Sequence, residues 1–159
     1  MKISHNWLTH FIELPETPET ISEILTQTGL EVESVSKIEK IKGGLKGLII
    51  GEVMSCIPHP NADKLKLTQV DVGSDDLLSI VCGATNINAG QKVAIAPVNC
   101  LIYPIKGEPF QIKKAKIRGK VSEGMICAED ELGLGGDHDG ILVLDAALTP
   151  GTPCSTVFN

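Results

Sequence analysis

Past residue 47, apolar residues come in short runs that glycines separate or interrupt. The runs span 48–56, 65–72, 77–82, 92–96 and 112–117, with a further one at 124–127. Each run is short and aliphatic, whereas the glycines between them favour turns. Many short strands at nearly even spacing, with little helix, are typical of a small sandwich or barrel. The pattern therefore predicts a mainly β domain.

The first 36 residues follow a different pattern. Ser4 is suited to cap a helical turn, and Thr17 followed by Pro18 is a strong helix start. Apolar residues then recur at helical spacing up to Gly29, a residue type that commonly ends helices. We expect short strands on either side of these helices, at 1–3 and at 30–35. This segment is therefore predicted to be α+β.

A glycine- and lysine-rich stretch, KIEKIKGGLKG at 37–47, joins the two patterns. Such a composition is typical of a connection between domains. We expect an α+β segment at 1–39 and a β domain at 40–150.

The composition is that of an ordinary globular chain, with 42% hydrophobic and 21% charged residues among 159. No apolar run reaches the roughly 18 residues that a membrane span needs, so we expect no membrane partner. The five cysteines are scattered, which fits neither a disulfide framework nor a zinc site. We interpret them as buried, reduced thiols of a cytoplasmic protein.

The net charge of −6 is unevenly distributed. Residues 1–36 carry one lysine against six glutamates, and 121–145 carry seven acidic residues and no basic one. Between these acidic stretches, residues 104–120 have a net charge of +5. A basic segment in an acidic chain is either a solvated surface or a contact for an anionic partner.

The centre of the basic segment is IKKAKIRGKV at 112–121. If it is one continuous strand, alternation places Lys114, Lys116, Arg118 and Lys120 on the same face. A row of like charges repels itself unless an anion faces it, and a polyphosphate backbone is a natural partner. An edge strand that lysines protect against sheet-to-sheet pairing explains the row equally well.

Other polar stretches have weaker chemical signals. The loop IVCGATN at 80–86 has small residues whose backbone amides could face a ligand, although an ordinary barrel loop is favoured. The acidic run at 129–139 is best interpreted as a solvated loop, because no second ligand cluster accompanies it. We predict no catalytic residues and no metal site in this sequence.

Several motifs in fixed order carry a family resemblance. HPNADKL, VDVG, IVCGATN, KIRGKVSEGMICAEDELGL and GTP follow one another in this order. The region from about 48 to 144 resembles the tRNA-binding domain of several synthetases and their accessory proteins. The start MKISHNWL with TGLEVESV, and the tail LTPGTPCSTVF, resemble the beta subunits of bacterial phenylalanyl-tRNA synthetases. The resemblance implies a five-stranded antiparallel barrel of the oligonucleotide-binding (OB) fold. It also implies that this chain is an N-terminal piece, with 1–39 as the first half of a split domain and 151–159 as the start of the segment that returns to it.

The resemblance further implies partners and site residues. The partners would be tRNA and the alpha subunit of an α2β2 enzyme that charges tRNA(Phe). ATP and magnesium would be bound by other parts of that enzyme, so no cofactor is expected here. Lys64 and Lys66 would be free to face phosphate beside a turn that Asn61 caps. The full set of expected tRNA-binding residues is His59, Asn61, Lys64, Lys66, Asn86, Lys114, Lys116, Arg118, Lys120 and Ser122.

Two other functions remain open. The chain could be a stand-alone homodimeric tRNA-binding OB protein, although such proteins resemble only the barrel portion. It could also be a purely structural domain whose basic residues contact other subunits. The sequence does not separate that role from an RNA-binding one.

Overall fold

The structure is a computed structural model that describes residues 1–158 and separates into two compact units. The first unit is Met1–Ile38 and the second begins at Glu39. The second unit also contains the described part of 151–159. Whether 1–39 is one half of a split domain stays a prediction.

The first unit consists of two short helices, α1 (His5–Leu8) and α2 (Pro18–Gln27). The hydroxyl of Ser4 accepts a hydrogen bond from the Trp7 N–H, and that of Thr17 accepts one from the Thr20 N–H, so both predicted caps are confirmed. The strands expected at 1–3 and 30–35 are absent, and that prediction is wrong. A strand needs a neighbour to pair its backbone groups, and neither stretch pairs with the other.

The second unit is a nearly closed antiparallel barrel. Its five main strands are β1 (Ile49–His59), β2 (Ala62–Asp71), β3 (Leu78–Cys82), β4 (Lys92–Pro97) and β9 (Gly124–Ile126). β1 pairs with both β2 and β4, β2 with β3, and β4 with β9. The remaining gap lies between β3 and the start of β9, where the Glu123 N–H donates to the Ser79 carbonyl over 2.8 Å. The predicted mainly β fold class and barrel are confirmed.

Shorter strands lie outside this circuit. β5 (Leu101–Ile102) pairs with β6 (Phe110–Gln111), β7 (Ala115–Ile117) pairs with β8 (Lys120–Ser122), and β10 (Val143–Leu144) pairs with β4. Residues 98–123, between β4 and β9, are thus a long excursion that ends in the β7–β8 hairpin. The helices within residues 1–158 lack the length and apolar character of a membrane-spanning helix.

The core is aliphatic, as the composition indicates. Ile50, Val53, Val93 and Ile95 are fully buried. Gly51 lies where β1 passes closest to its neighbours, since a Cβ there would meet Val70 at 2.6 Å. The tail packs on the same barrel, because the Ile50 N–H donates to the Thr152 carbonyl and Cys154 is fully buried.

Candidate nucleic-acid interface

The basic segment forms a hairpin and not one continuous strand. β7 and β8 pair through Lys116 with Val121 and Ile117 with Lys120. Arg118 and Gly119 occupy the turn, with φ of 49° and 90°. Positive φ at both central residues is the mark of the tight turns that suit the twist of a hairpin. We call residues 115–122 the cationic hairpin.

This turn corrects the predicted row of four cations on one face. Residues that pair across antiparallel strands share a face, so Lys120 lies on the face of Ile117, while Lys116 lies on the opposite face with Val121. Arg118 is at the tip, and Lys114 precedes β7. All four side chains are nevertheless on exposed residues within a few positions of one another, so the positive charge stays concentrated.

A groove runs between the cationic hairpin and the outer surface of β2 and β3. Its volume is about 430 Å³, and it combines an aliphatic floor with charged walls. Leu67 pairs with Val81 across the two strands, and the neighbouring Gln69 donates from Nε2 to the Ser79 hydroxyl over 2.9 Å. The lining residues are Leu67, Thr68, Gln69, Ser79, Ile80, Lys114, Lys120, Val121 and Glu123.

The β1–β2 turn differs in detail from the prediction. His59 is buried, with 4% of its surface exposed, and its Nδ1 accepts a hydrogen bond from the Asn61 N–H. The cap of this turn is therefore the imidazole of His59, whereas Asn61 contributes its backbone and keeps an exposed side chain. Lys64 is exposed.

Lys66, which we expected to be free to face phosphate, is held by the barrel. Its Nζ donates to the carbonyls of Ile87 over 2.7 Å and of Thr85 over 3.2 Å. Alternation along β2 points Lys66 toward the barrel interior together with Thr68, so the ammonium group finds its acceptors in the next loop. Lys64, near the start of β2, is left as the exposed cation of this strand.

Asn86 and Ser122 also have internal partners. The Asn86 side chain donates from Nδ2 to the Ile141 carbonyl and accepts from the Ile141 N–H through Oδ1, each over 3.0 Å. Ser122 is buried, and its hydroxyl accepts from the Val81 N–H and donates to the Gly124 carbonyl. These contacts connect loops and strands of the barrel. The contacts of Asn86 with Ile141 and of Ser122 with Val81 could not be seen in the sequence, because these partners lie 55 and 41 positions away.

The family model described as "Putative tRNA binding domain" matches residues 48–153. This chain belongs to that tRNA-binding domain family. The matched range covers the barrel, the groove and the cationic hairpin.

Relatives of this tRNA-binding domain chain include longer proteins. It is 48% identical to the phenylalanine–tRNA ligase beta subunit of Bacteroides fragilis and 49% identical to that of Bacteroides thetaiotaomicron, over 159 residues in each case. These alignments cover 100% of this chain and 19% of each relative, so the chain spans about a fifth of their length. A methionyl-tRNA-synthetase-related protein ("MetRS related protein") from Pyrococcus horikoshii is a structural neighbour with a TM-score of 0.48 and 21% identity, covering 66% of this chain and 85% of the other.

The cysteines of the tRNA-binding domain are free thiols, four of them buried and Cys56 half-buried. Burial raises the pKa of Cys82, Cys100 and Cys127, and raises that of Cys154 to about 11. These thiols are therefore protonated at neutral pH and unreactive. Within residues 1–158, no group of three or more His, Cys, Asp or Glu side chains is placed to hold a metal ion.

Proposed function

We propose that this chain is the tRNA-binding module of a phenylalanine–tRNA ligase beta subunit and contacts the phosphate backbone of tRNA through its cationic hairpin. The observation that carries the proposal is the placement of Lys116, Arg118 and Lys120, exposed on a hairpin that forms one wall of the groove over β2 and β3. In OB folds, the corresponding strands and the loops beside them are the usual oligonucleotide-binding surface.

The side chains of the groove favour contact with phosphate over stacking on bases. The only two aromatic residues of the barrel region are Tyr103 and Phe110, and neither lines the groove. Tyr103 is half-buried, with the ammonium group of Lys42 5.9 Å from its ring centre. Phosphate contacts give affinity and orientation without reading sequence, whereas stacking platforms need exposed rings. We therefore expect little sequence preference.

Similarity to phenylalanine–tRNA ligase beta subunits supports a role in a larger enzyme. The module would support aminoacylation of tRNA(Phe) by a cytoplasmic α2β2 assembly, with amino-acid activation, ATP and magnesium handled by other parts. The acidic residues of this chain oppose the approach of a polyanion, so binding through the module is weak and sensitive to salt.

A purely structural role is the second candidate. It is favoured by the finding that four of the ten expected binding residues have polar atoms bonded to backbone groups of the same domain. These four are His59, Lys66, Asn86 and Ser122. On this alternative, the hairpin cations pack against another subunit.

Steady-state kinetics of the natural, full-length enzyme separates the two candidates. The test variant neutralises the hairpin as K116Q/R118N/K120Q, with asparagine at 118 because it tolerates the turn. A control variant, K2Q/K46Q/K106Q, removes the same charge from exposed lysines elsewhere in the chain.

Each exposed charge contact contributes about 0.5 kcal/mol, so the loss of three contacts weakens tRNA binding by about 1.5 kcal/mol. We therefore expect the hairpin variant to raise KM for tRNA about tenfold. Phenylalanine-dependent pyrophosphate exchange, which needs no tRNA, should be unchanged. An unaltered KM for tRNA would contradict the proposal. An equal loss of exchange and aminoacylation, with dissociation of subunits, would favour the structural role.

A further inference from the structure

One cation of the groove already has an anion bound to it. The carboxylate of Glu123 accepts a hydrogen bond through Oε1 from the Nζ of Lys114 over 2.7 Å. Both residues line the groove, together with Lys120. The side chain of Lys114 is 61% exposed and that of Glu123 33% exposed, so the pair is accessible to a ligand.

The barrel itself fixes the carboxylate in this position. The backbone N–H of Glu123 donates to the Ser79 carbonyl over 2.8 Å, and the preceding Ser122 accepts from the Val81 N–H over 3.1 Å. These two contacts attach the end of β8 to β3 where the barrel closes. Lys114, by contrast, precedes β7 on a long, flexible side chain. The Glu123 carboxylate is therefore fixed by the barrel, and the Lys114 side chain extends toward it.

Glu123 is ionised at neutral pH. The hydrogen bond from Lys114, with the charge of the same lysine, lowers the pKa of the Glu123 carboxyl below its usual value. A carboxylate in this state offers Lys114 the same kind of charged oxygen acceptor that a phosphate would offer.

We propose that Glu123 is an internal competitor for phosphate at Lys114 and thereby restricts the groove to ligands that present several phosphates together. This inference rests on the proposed function. An exposed ion pair is weak, so a phosphate can displace the carboxylate, but the displaced Glu123 stays beside the incoming anion and repels it. A single phosphate that replaces the Glu123 carboxylate at Lys114 therefore gains little binding free energy.

A polynucleotide backbone gains more from the same site. A phosphate at Lys114 is joined to others along the chain that reach Lys120 in the groove and the exposed Lys116 and Arg118 of the hairpin beside it, and these contacts offset the repulsion from Glu123. The ion pair of Lys114 with Glu123 thus makes the groove selective for polyanions over small anions. It also lowers the affinity for tRNA itself.

The test measures tRNA affinity in the natural, full-length protein at several salt concentrations for E123Q and for a control, E108Q. Glu108 is an exposed carboxylate between β5 and β6, so E108Q makes the same change of net charge outside the groove. We expect E123Q to bind tRNA about two to five times more tightly than E108Q, the range typical of an exposed ion pair. The log–log salt slope should steepen by roughly 0.7–0.9, as one more phosphate contact forms.

The double variant K114Q/E123Q shows whether the gain acts through Lys114. The gain should disappear in this background, and inorganic phosphate should compete with tRNA more effectively in E123Q than in the parent. Equal affinity of E123Q and E108Q, or a gain that persists without Lys114, would overturn the inference.

Two further readouts keep the inference separate from the proposed function and from folding. If the hairpin variant binds tRNA more weakly than the parent, a failure of E123Q concerns Glu123 alone. If the hairpin variant binds tRNA as well as the parent, both proposals are overturned. Thermal unfolding checks the fold of E123Q. Should it unfold, K114Q serves instead, because the inference predicts a smaller loss of affinity for K114Q than for K116Q, and an equal or larger loss contradicts it.

Discussion

The imidazole of His59 accepts a hydrogen bond at Nδ1 from the backbone N–H of Asn61, over 3.0 Å, while the ring is buried at the end of β1. Because Nδ1 is the acceptor, the neutral ring carries its proton on Nε2. The turn between β1 and β2 is thus closed by a side chain from within the barrel. A ring in this position supports the turn and is not available to stack on a base.

Replacing His59 should therefore reduce stability before it affects RNA binding. H59A removes a buried ring and the acceptor of the Asn61 N–H, and we expect a loss of about 2–3 kcal/mol in the free energy of unfolding. H59N should lose less, because an asparagine side chain can accept a hydrogen bond from the backbone two residues on. Urea unfolding measures both. A variant H59N as unstable as H59A would show that the hydrogen bond is unimportant.

The turn of the cationic hairpin depends on Gly119 more than on Arg118. G119V places a β-branched residue at a φ of 90°, and we expect it to cost about 1–2 kcal/mol locally. R118N should be tolerated, because asparagine adopts positive φ more readily than arginine does. Hydrogen exchange of the β7 and β8 amides is the measurement. If the β7 and β8 amides are equally protected from hydrogen exchange in G119V and R118N, the proposed turn geometry is wrong.

The thiols should divide into one reactive group and four protected ones. Cys56 is half-buried, whereas the other four cysteines are buried, and burial raises the pKa of each of those four. A thiol reagent at about pH 8 should react quickly with one thiol in the native protein and with the rest only on unfolding. C56S should remove the fast phase. A fast phase that survives in C56S would mean that the core opens readily.

His138 gives the stability of the folded protein a small dependence on pH. Its Nδ1 lies 3.0 Å from Asp130, and the hydrogen bond with that carboxylate raises the pKa of the imidazole above its usual value. Because the folded-state pKa is the higher one, the stabilisation is complete below the unfolded pKa near 6.5 and is lost as pH rises through the raised value. NMR titration should find a raised pKa in the parent and in D145N, and a lower one in D130N. A pKa that D130N leaves unchanged would assign the shift to another cause.

The sequence predicted what depends on neighbouring residues. The caps at Ser4 and Thr17, the short glycine-bounded strands and the aliphatic core all follow from local pattern, and the structure confirms each of them. The strands expected at 1–3 and 30–35 failed because a strand depends on a distant partner that local pattern does not reveal.

The candidate site was harder to predict for the same reason. The alternation of basic and apolar residues predicted a single strand over 112–121. Gly119 was the signal for a turn within it, because glycine readily adopts positive φ. Apart from the nearby Gly124 carbonyl, the internal partners of Lys66, Asn86 and Ser122 lie between 19 and 55 positions away, and nothing in their own sequence indicates them. The ion pair of Glu123 with Lys114 joins the two sides of the hairpin, so it could be inferred only after the turn was located.

The most direct test of the central claim is the salt dependence of tRNA affinity for the natural protein and for K116Q/R118N/K120Q. With Lys64, Lys116, Arg118 and Lys120 on about four phosphates, the parent should give a log–log slope of roughly −3 to −4. The variant should bind more weakly, with a slope smaller in magnitude by roughly 2–3, whereas K2Q/K46Q/K106Q should keep the parent slope. If the hairpin variant retains both the affinity and the slope of the parent, the cationic hairpin does not bind tRNA.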